Sequence, residues 1–193
     1  MEKLVFATAN ANKVKEIKHI LGDLYDFRSL TDIGCTEDIP ETQPTIEGNA
    51  LQKARYVYEK YGYNCFAEDT GLLVEALDGA PGVYSARYAG SQRNSDDNMD
   101  KLLVELQHEP NRAAYFKTVI ALIIDGKETL FEGKVEGEIL KARQGGTGFG
   151  YDPIFLPNGQ SQSFAEMTAD EKGAISHRGR ATAKLKAHLD AIR

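Results

Sequence analysis

Thr8, Asn10 and Lys13 lie in the stretch TANANK, directly after the apolar run that begins at Leu4. A hydroxyl, an amide and an ammonium at the start of a helix, where backbone N–H groups lack partners and the dipole is positive, suit an anion such as phosphate. Taken alone, the same TxNxxK spacing reads more economically as a capped helix with a solvated lysine. Glu68 and Asp69 are neighbours at the end of a strand pattern, so their side chains point to opposite faces. Leading into Thr70-Gly71, such a pair fits a magnesium site completed by substrate phosphates, or a solvated turn. Glu41, in the acidic segment CTEDIPETQP from Cys35 to Pro44, carries the same two readings.

The stretch GGTGFGYDP from Gly145 to Pro153 has the glycine density of a phosphate loop. Such loops work by opening a helix whose N–H groups face the anion, and the residues that follow, DPIFLP, read as extended. Phe149, Tyr151 and an acid suit a planar nucleobase better than phosphate oxygens, with glycine allowing close backbone approach. Ser176-His177-Arg178 places a serine beside a base, but neighbouring positions at a helix start diverge and no third group is evident, so a nucleophilic triad is rejected. Ser176 reads as a helix cap, His177 and Arg178 as donors to a ligand, and Lys172 falls one turn earlier. His19, His108 and His188 make no metal-ligand spacing.

These residues need a frame. Leu4 to Thr8 reads as a strand, followed by a helix with Val14, Ile17 and Leu21 on one face. Tyr25 to Leu30 is a second strand, and Ile46 to Tyr61 a helix with Ile46, Ala50, Ala54, Val57 and Tyr61 as its stripe. A short strand from Asn64 to Glu68 ends at Asp69-Thr70-Gly71, Leu72 to Leu77 continues with alternating or buried character, and the punctuated stretch from 78 to 90 reads as an ordered loop. Ser95 is the expected cap of a helix reaching Leu106, with Asp96 and Asp97 in its first turn. Ala114 to Ile124 and Glu128 to Leu140, joined by Asp125-Gly126, form a long hairpin. Thr168 to Glu171 matches a capping box, and Ala181, Leu185, Leu189 and Ile192 mark a final helix.

At 193 residues the chain suits one domain, with no repeat or linker dividing it. The formal charge of -6 argues against a nucleic-acid partner. Cys35 and Cys65 have no zinc or redox spacing, which fits a reducing, cytoplasmic setting. No signal peptide and no 18-residue apolar run is visible, so no membrane association is expected.

Six ordered blocks together resemble the inosine triphosphate pyrophosphatase family: TANANK at 8–13, EGNALQKAR at 47–55, AEDTGL at 67–72, GAPGVYSARYAG at 79–90, GGTGFGYDP at 145–153 and EKGAISHRG at 171–179. The resemblance spans nearly the whole chain. It implies an α/β fold with a mixed, twisted sheet flanked by helices, two lobes around a deep cleft, and a homodimer. It also implies magnesium-dependent hydrolysis of dITP, ITP and XTP to the monophosphate and pyrophosphate.

Carried over by position, Thr8, Ala9, Asn10, Ala11, Asn12 and Lys13 bind the triphosphate, with Lys53 and Lys172 adding positive charge. Asp69 is the general base and a metal ligand, and Glu41 the second metal-binding acid. Thr70 stands where the family often has serine. Phe149, Gly150, Tyr151 and Asp152, with His177 and Arg178, form the base pocket. The resemblance leaves Glu68 and Arg87 without a role. The alternatives are a pyrophosphatase for modified pyrimidine nucleotides, which the FGYD and SHR motifs disfavour, and a non-catalytic nucleotide-binding regulator, which the Glu41 and Asp69 pair disfavours. An RNA-binding module conflicts with the acidic balance.

Overall fold

The computed structural model describes residues 2–193. In chain order the elements are β1 (Lys3–Phe6), α1 (Ala11–Leu21), β2 (Asp26–Arg28), α2 (Ile46–Tyr61), β3 (Cys65–Val74), β4 (Pro81–Gly82), α3 (Ser95–Glu105), β5 (Ala113–Ile124), β6 (Lys127–Ile139), β7 (Phe155–Pro157), α4 (Ala169–Ile175) and α5 (His177–Ala191). The strands are hydrogen-bonded in the order β2-β1-β3-β5-β6-β7, with β4 on β3. β1 runs parallel to β2 and β3, whereas β3–β4 and β6–β7 are antiparallel, so the sheet is mixed as expected.

Contacts divide the chain into two compact units, each assembled from separate stretches. The first comprises residues 1–69, 118–133 and 178–193; the second comprises 70–117 and 134–177. The chain changes unit inside β3, β5 and β6 and again after the first residue of α5. Each unit has a hydrophobic core of its own. In the first, Leu4 and Phe6 of β1, Ile17 and Leu21 of α1, Phe66, Ile120 and Leu122 pack with Ala181, Leu185 and Leu189 of α5. In the second, Leu72, Leu102, Phe116, Ile139, Ile154, Phe155 and Phe164 are the main contributors.

Local chemistry explains the elements. α1 starts where the Asn10 side chain accepts from the backbone N–H groups of Asn12 and Lys13, and ends at Gly22 with φ +62°. α2 starts at a Thr45 cap and ends at a left-handed Gly62, with Ile46, Ala50, Ala54 and Val57 buried along one stripe. β6 alternates buried Phe131, Val135 and Ile139 with exposed Glu132, Lys134, Glu136 and Glu138. Residues 118–123 of β5 are buried on both faces, and Asp125-Gly126, both at positive φ, turn one strand into the other. Asn98 fastens the stretch after β4, accepting from Ala89 N–H at 2.7 Å and donating to the Ala86 carbonyl at 3.0 Å.

Several expectations need correction. β3 does not stop at Glu68 but continues through Asp69-Thr70-Gly71 to Val74, because Leu72 and Leu73 pair with Gly82 and Pro81 and extend the ladder. β2 is confined to three residues. The cap of α3 is Asn94, whose side chain accepts from Asp97 N–H, rather than Ser95. Ile192 lies past the end of α5 and is 49% exposed, so the buried stripe stops at Leu189. Asp152–Ile154 forms one 3-10 turn before the extended β7. Among the described residues no helix is long and apolar enough to cross a membrane.

Candidate active site

In the first unit, α2 and β3 bring two acids to one ammonium. Lys53, on the inner stripe of α2 and 6% exposed, donates to Glu41 Oε1 at 2.8 Å and to the Glu68 carbonyl at 2.7 Å. Its Nζ also lies 3.7 Å from Asp69 Oδ1. Asp69 Oδ2 is buried and has no hydrogen-bond partner among the described residues. Burial pushes the Asp69 carboxyl up to about 6; Lys53 and Lys13 pull it back, while Glu41 and Glu68 push it further.

One residue earlier, Glu68 is fully buried and is the hub of a second charge cluster. Arg178 Nε donates to Glu68 Oε2 at 3.1 Å, and Lys13 Nζ stands 2.5 Å from Oε1. Arg178 Nη1 also donates to Glu16 Oε2 at 2.6 Å. Burial alone would raise the Glu68 pKa, but Arg178, Lys13 and Lys53 overcome it and hold the carboxylate well below its usual range. Arg178, which burial would weaken as a cation, is kept charged by Glu68 and Glu16. Buried charges persist only when paired in this way.

The TANANK turn is pre-ordered by its own side chains. Thr8 Oγ1 accepts from Asn10 N–H at 3.1 Å, and Asn10 Oδ1 accepts from Asn12 and Lys13 N–H at 3.0 and 3.3 Å. The N–H groups of Asn12 and Lys13, expected to be open to an anion, are therefore engaged by the cap. Ala9, Asn10, Ala11 and Asn12 are exposed.

In the second unit the glycine loop closes on itself. Asp152, 3% exposed, accepts from Lys172 Nζ at 2.7 Å and from Phe149 N–H at 3.0 Å. Lys172 Nζ lies 4.8 Å from the Phe149 ring centroid, a cation–π arrangement. A Cβ on Gly148, at φ +74°, would stand 2.2 Å from Asp152 Oδ2; one on Gly145, at φ +89°, would stand 2.4 Å from the Ala165 carbonyl oxygen. Close packing demands glycine at these two positions. Tyr151 belongs to the core: it is 5% exposed and its hydroxyl donates to the Ser85 carbonyl at 2.6 Å. The expectation that its ring receives a base is corrected accordingly, since its faces are spent on packing. Phe149 and Gly150 are half-buried, and His177 stacks on Phe116 at 4.5 Å. Thr70, half-buried, continues β3.

The profile of the Ham1 family matches residues 4–188. The chain belongs to the Ham1 family. It is 59% identical over 183 residues to the dITP/XTP pyrophosphatase of Flavobacterium psychrophilum, covering 95% of this chain and 96% of that one. It is 55% identical over 190 residues to the Porphyromonas gingivalis dITP/XTP pyrophosphatase, covering 98% of each. Among solved structures, the Staphylococcus aureus Ham1 protein superposes with a TM-score of 0.91 at 36% identity, covering all of both chains. A Coxiella burnetii HAM1 protein gives 0.91 at 38% identity, covering 99% of this chain and 100% of that one.

Within this Ham1-family fold, Glu41, Lys53 and Asp69 come together, Lys13 joins Arg178 through Glu68, and Lys172 joins Asp152 and Phe149. Sequence reasoning missed Glu68 as the hub and Glu16 as the second partner of Arg178. The signal for Glu68 was there, in a carboxylate following Cys-Phe-Ala inside a strand. Glu16 sits among polar residues of α1 and carried no such mark.

Proposed function

We propose that this protein hydrolyses dITP, XTP and ITP to the nucleoside monophosphate and pyrophosphate, with magnesium. The observation that carries the reading is Asp69: its Oδ2 is buried without a hydrogen-bond partner among the described residues, and its Oδ1 shares the Lys53 ammonium with Glu41. The names of the dITP/XTP pyrophosphatases it resembles over nearly full length support the same substrates.

The residues suit a divalent cation. A buried carboxylate oxygen with no partner is a poor end state for a protein but a good one for a metal ligand. Among the described residues no group of three or more acids, histidines or cysteines could hold a metal alone, so phosphate oxygens and water would complete the sphere beside Asp69 and Glu41. Charge points the same way. Lys13, Lys53 and Arg178 are matched by Glu16, Glu41, Glu68 and Asp69, so these groups offer a triphosphate no positive surplus. A magnesium ion held by Asp69 and Glu41 would supply the missing charge as a Lewis acid.

In this reading Lys53 holds the two acids at the spacing a shared ion needs. The Asn10-capped start of α1, from Thr8 to Lys13, receives the phosphates with exposed backbone and a hydroxyl, and Lys53 and Lys172 contribute ammonium hydrogen bonds to phosphate oxygens rather than net charge. Asp69 orients a water and takes its proton at a carboxylate oxygen. The water oxygen bonds to the α-phosphorus, the bond from that phosphorus to the bridging oxygen breaks, and pyrophosphate leaves.

Phe149 offers a ring to the purine, while glycine-loop amides, His177 and Arg178 supply donors. Donors aimed at a 6-oxo group meet the 6-amino group of adenine donor to donor, a mismatch that costs about 10⁴-fold in specificity. For Arg178 the readout must be the ITP-to-ATP ratio, which is insensitive to loss of folded enzyme, because removing Arg178 also unpairs Glu68 and Glu16. The enzyme acts as one homodimeric cytoplasmic domain that keeps deaminated purines out of DNA and RNA.

The test is to incubate the protein with magnesium and dITP, XTP, ITP, ATP or GTP and to resolve the products. Pyrophosphate and monophosphate formed selectively from the first three support the reading. Nucleotide binding without turnover would replace it with a non-catalytic binding role.

A further inference from the structure

From Thr36 to Pro44 the chain forms no helix or strand and, among the described residues, makes no backbone-to-backbone hydrogen bond. Glu41 nevertheless sits at a defined 2.8 Å from Lys53. What fixes this segment is a row of side chains on α2. The carboxamide of Gln52 grips Thr42 twice: Thr42 N–H donates to Gln52 Oε1 at 2.8 Å, and Gln52 Nε2 donates to Thr42 Oγ1 at 2.8 Å. One peptide further, Gln43 N–H donates to Asn49 Oδ1 at 2.9 Å. On the other side of Glu41, the Glu37 carboxylate accepts from Tyr56 and Tyr61 hydroxyls at 2.9 and 2.6 Å and from Lys60.

The segment is thus fastened to a single helix both before and after its metal-binding acid. Gln52 is the nearest of these fasteners: it holds the residue after Glu41, and its neighbour Lys53 holds Glu41 itself.

We propose that Gln52 is a positioning residue that preorganises Glu41 for the divalent cation, an inference that rests on the metal role given to Glu41 and Asp69 above. Without this hold, a segment lacking backbone hydrogen bonds has to be ordered when the ion binds, and that entropy is subtracted from metal affinity. Gln52 has no chemistry to perform. Its loss lowers affinity for the ion while leaving turnover at saturating ion intact.

The discriminating variant is Gln52→Met, which keeps side-chain length and removes both bonds to Thr42. Manganese(II) binding to the protein in the presence of the non-hydrolysable α,β-imido analogue of ITP is followed by EPR, against a protein-free control with the same analogue, for wild type, Gln52→Met and Asp69→Asn. The expected result is binding weakened by about tenfold or more in Gln52→Met, the range seen when outer supports of a metal ligand are removed. The magnesium concentration for half-maximal turnover should rise by a similar factor, with kcat at saturating magnesium and the thermal midpoint near wild type. Thr42→Val, which removes one of the two bonds, should fall between. Wild-type manganese affinity in a folded Gln52→Met overturns the positioning role alone. Wild-type protein that binds no manganese beyond the analogue control, or binds it equally well as Asp69→Asn, overturns the metal reading and this inference with it.

Discussion

Asp69→Asn should abolish turnover and, in the absence of metal, make the protein more stable. Folding carries the Asp69 carboxyl from a solvated value of 3.8 to about 6, chiefly by burial. For an acid, such a rise means that the folded state favours the protonated form. The associated cost is absent below the unfolded pKa, grows as pH rises from about 4 to about 6, and is fully present above that. At about 1.4 kcal/mol per pH unit, the ionised carboxylate costs the metal-free fold on the order of 3 kcal/mol at pH 8. Asparagine keeps the shape and carries no charge. With a urea m-value of about 2 kcal/mol/M, the midpoint of Asp69→Asn at pH 8 in EDTA should exceed that of wild type by up to about 1.5 M. At pH 4 the two curves should nearly coincide, and magnesium at pH 8 should narrow the gap by stabilising wild type alone. A variant no more stable than wild type at pH 8 in EDTA would show that Asp69 is not held at a cost, and the argument from its unpartnered oxygen would fail.

Glu68→Gln should destabilise the fold by about 3–5 kcal/mol in urea titrations, because Arg178 and Lys13 lose their buried counter-charge. A change below about 1 kcal/mol would mean the cluster is hydrated. Tyr151→Phe should cost about 1 kcal/mol through the lost bond to the Ser85 carbonyl and leave the ITP-to-ATP ratio of kcat/KM unchanged; a shifted ratio would return Tyr151 to the base-recognition set. Gly148→Ala drives a Cβ into Asp152 at positive φ and should lower the thermal midpoint by several degrees, consistent with about 1–3 kcal/mol of strain. An unchanged midpoint would show that the loop relaxes without resistance.

The helices were legible because each has its own punctuation: the stripe of α2 ends at Gly62, and α4 opens on the Thr168 capping box. The β5–β6 hairpin was equally plain from Asp125-Gly126 and the alternation after it. The alternation after Leu72 was visible, but that β3 runs unbroken through Asp69-Thr70-Gly71 was not, since glycine at 71 argues for a turn and pairing with β4 keeps the strand going. The site shows the same division. Two of the motif blocks contain Lys53 and Asp69, and the family resemblance pointed to Glu41 outside them, yet nothing local tells that one ammonium gathers both acids, or that Glu68 binds a lysine of α1 and an arginine of α5. Residues 68 and 178 meet through tertiary contact, and spacing along a chain carries no trace of that. Tyr151 was misread for a related reason: an aromatic between glycines looks available until its hydroxyl is seen inside the core.

The assembly of the first unit from separate stretches has a consequence for how the molecule is made. Its core holds Leu4, Phe6 and Phe66 against Ala181, Leu185 and Leu189, so the earliest and latest parts of the chain close it together. During synthesis helix α1 with Lys13 and strand β3 with Glu68 emerge long before Arg178, leaving an apolar face and a carboxylate short of one counter-charge waiting on the ribosome for α5. Contacts this distant in sequence slow folding and prolong exposure to aggregation. A chain cut short ahead of Arg178 therefore loses its core and its counter-charge at one stroke, and quality control meets a sticky fragment instead of a weakened hydrolase.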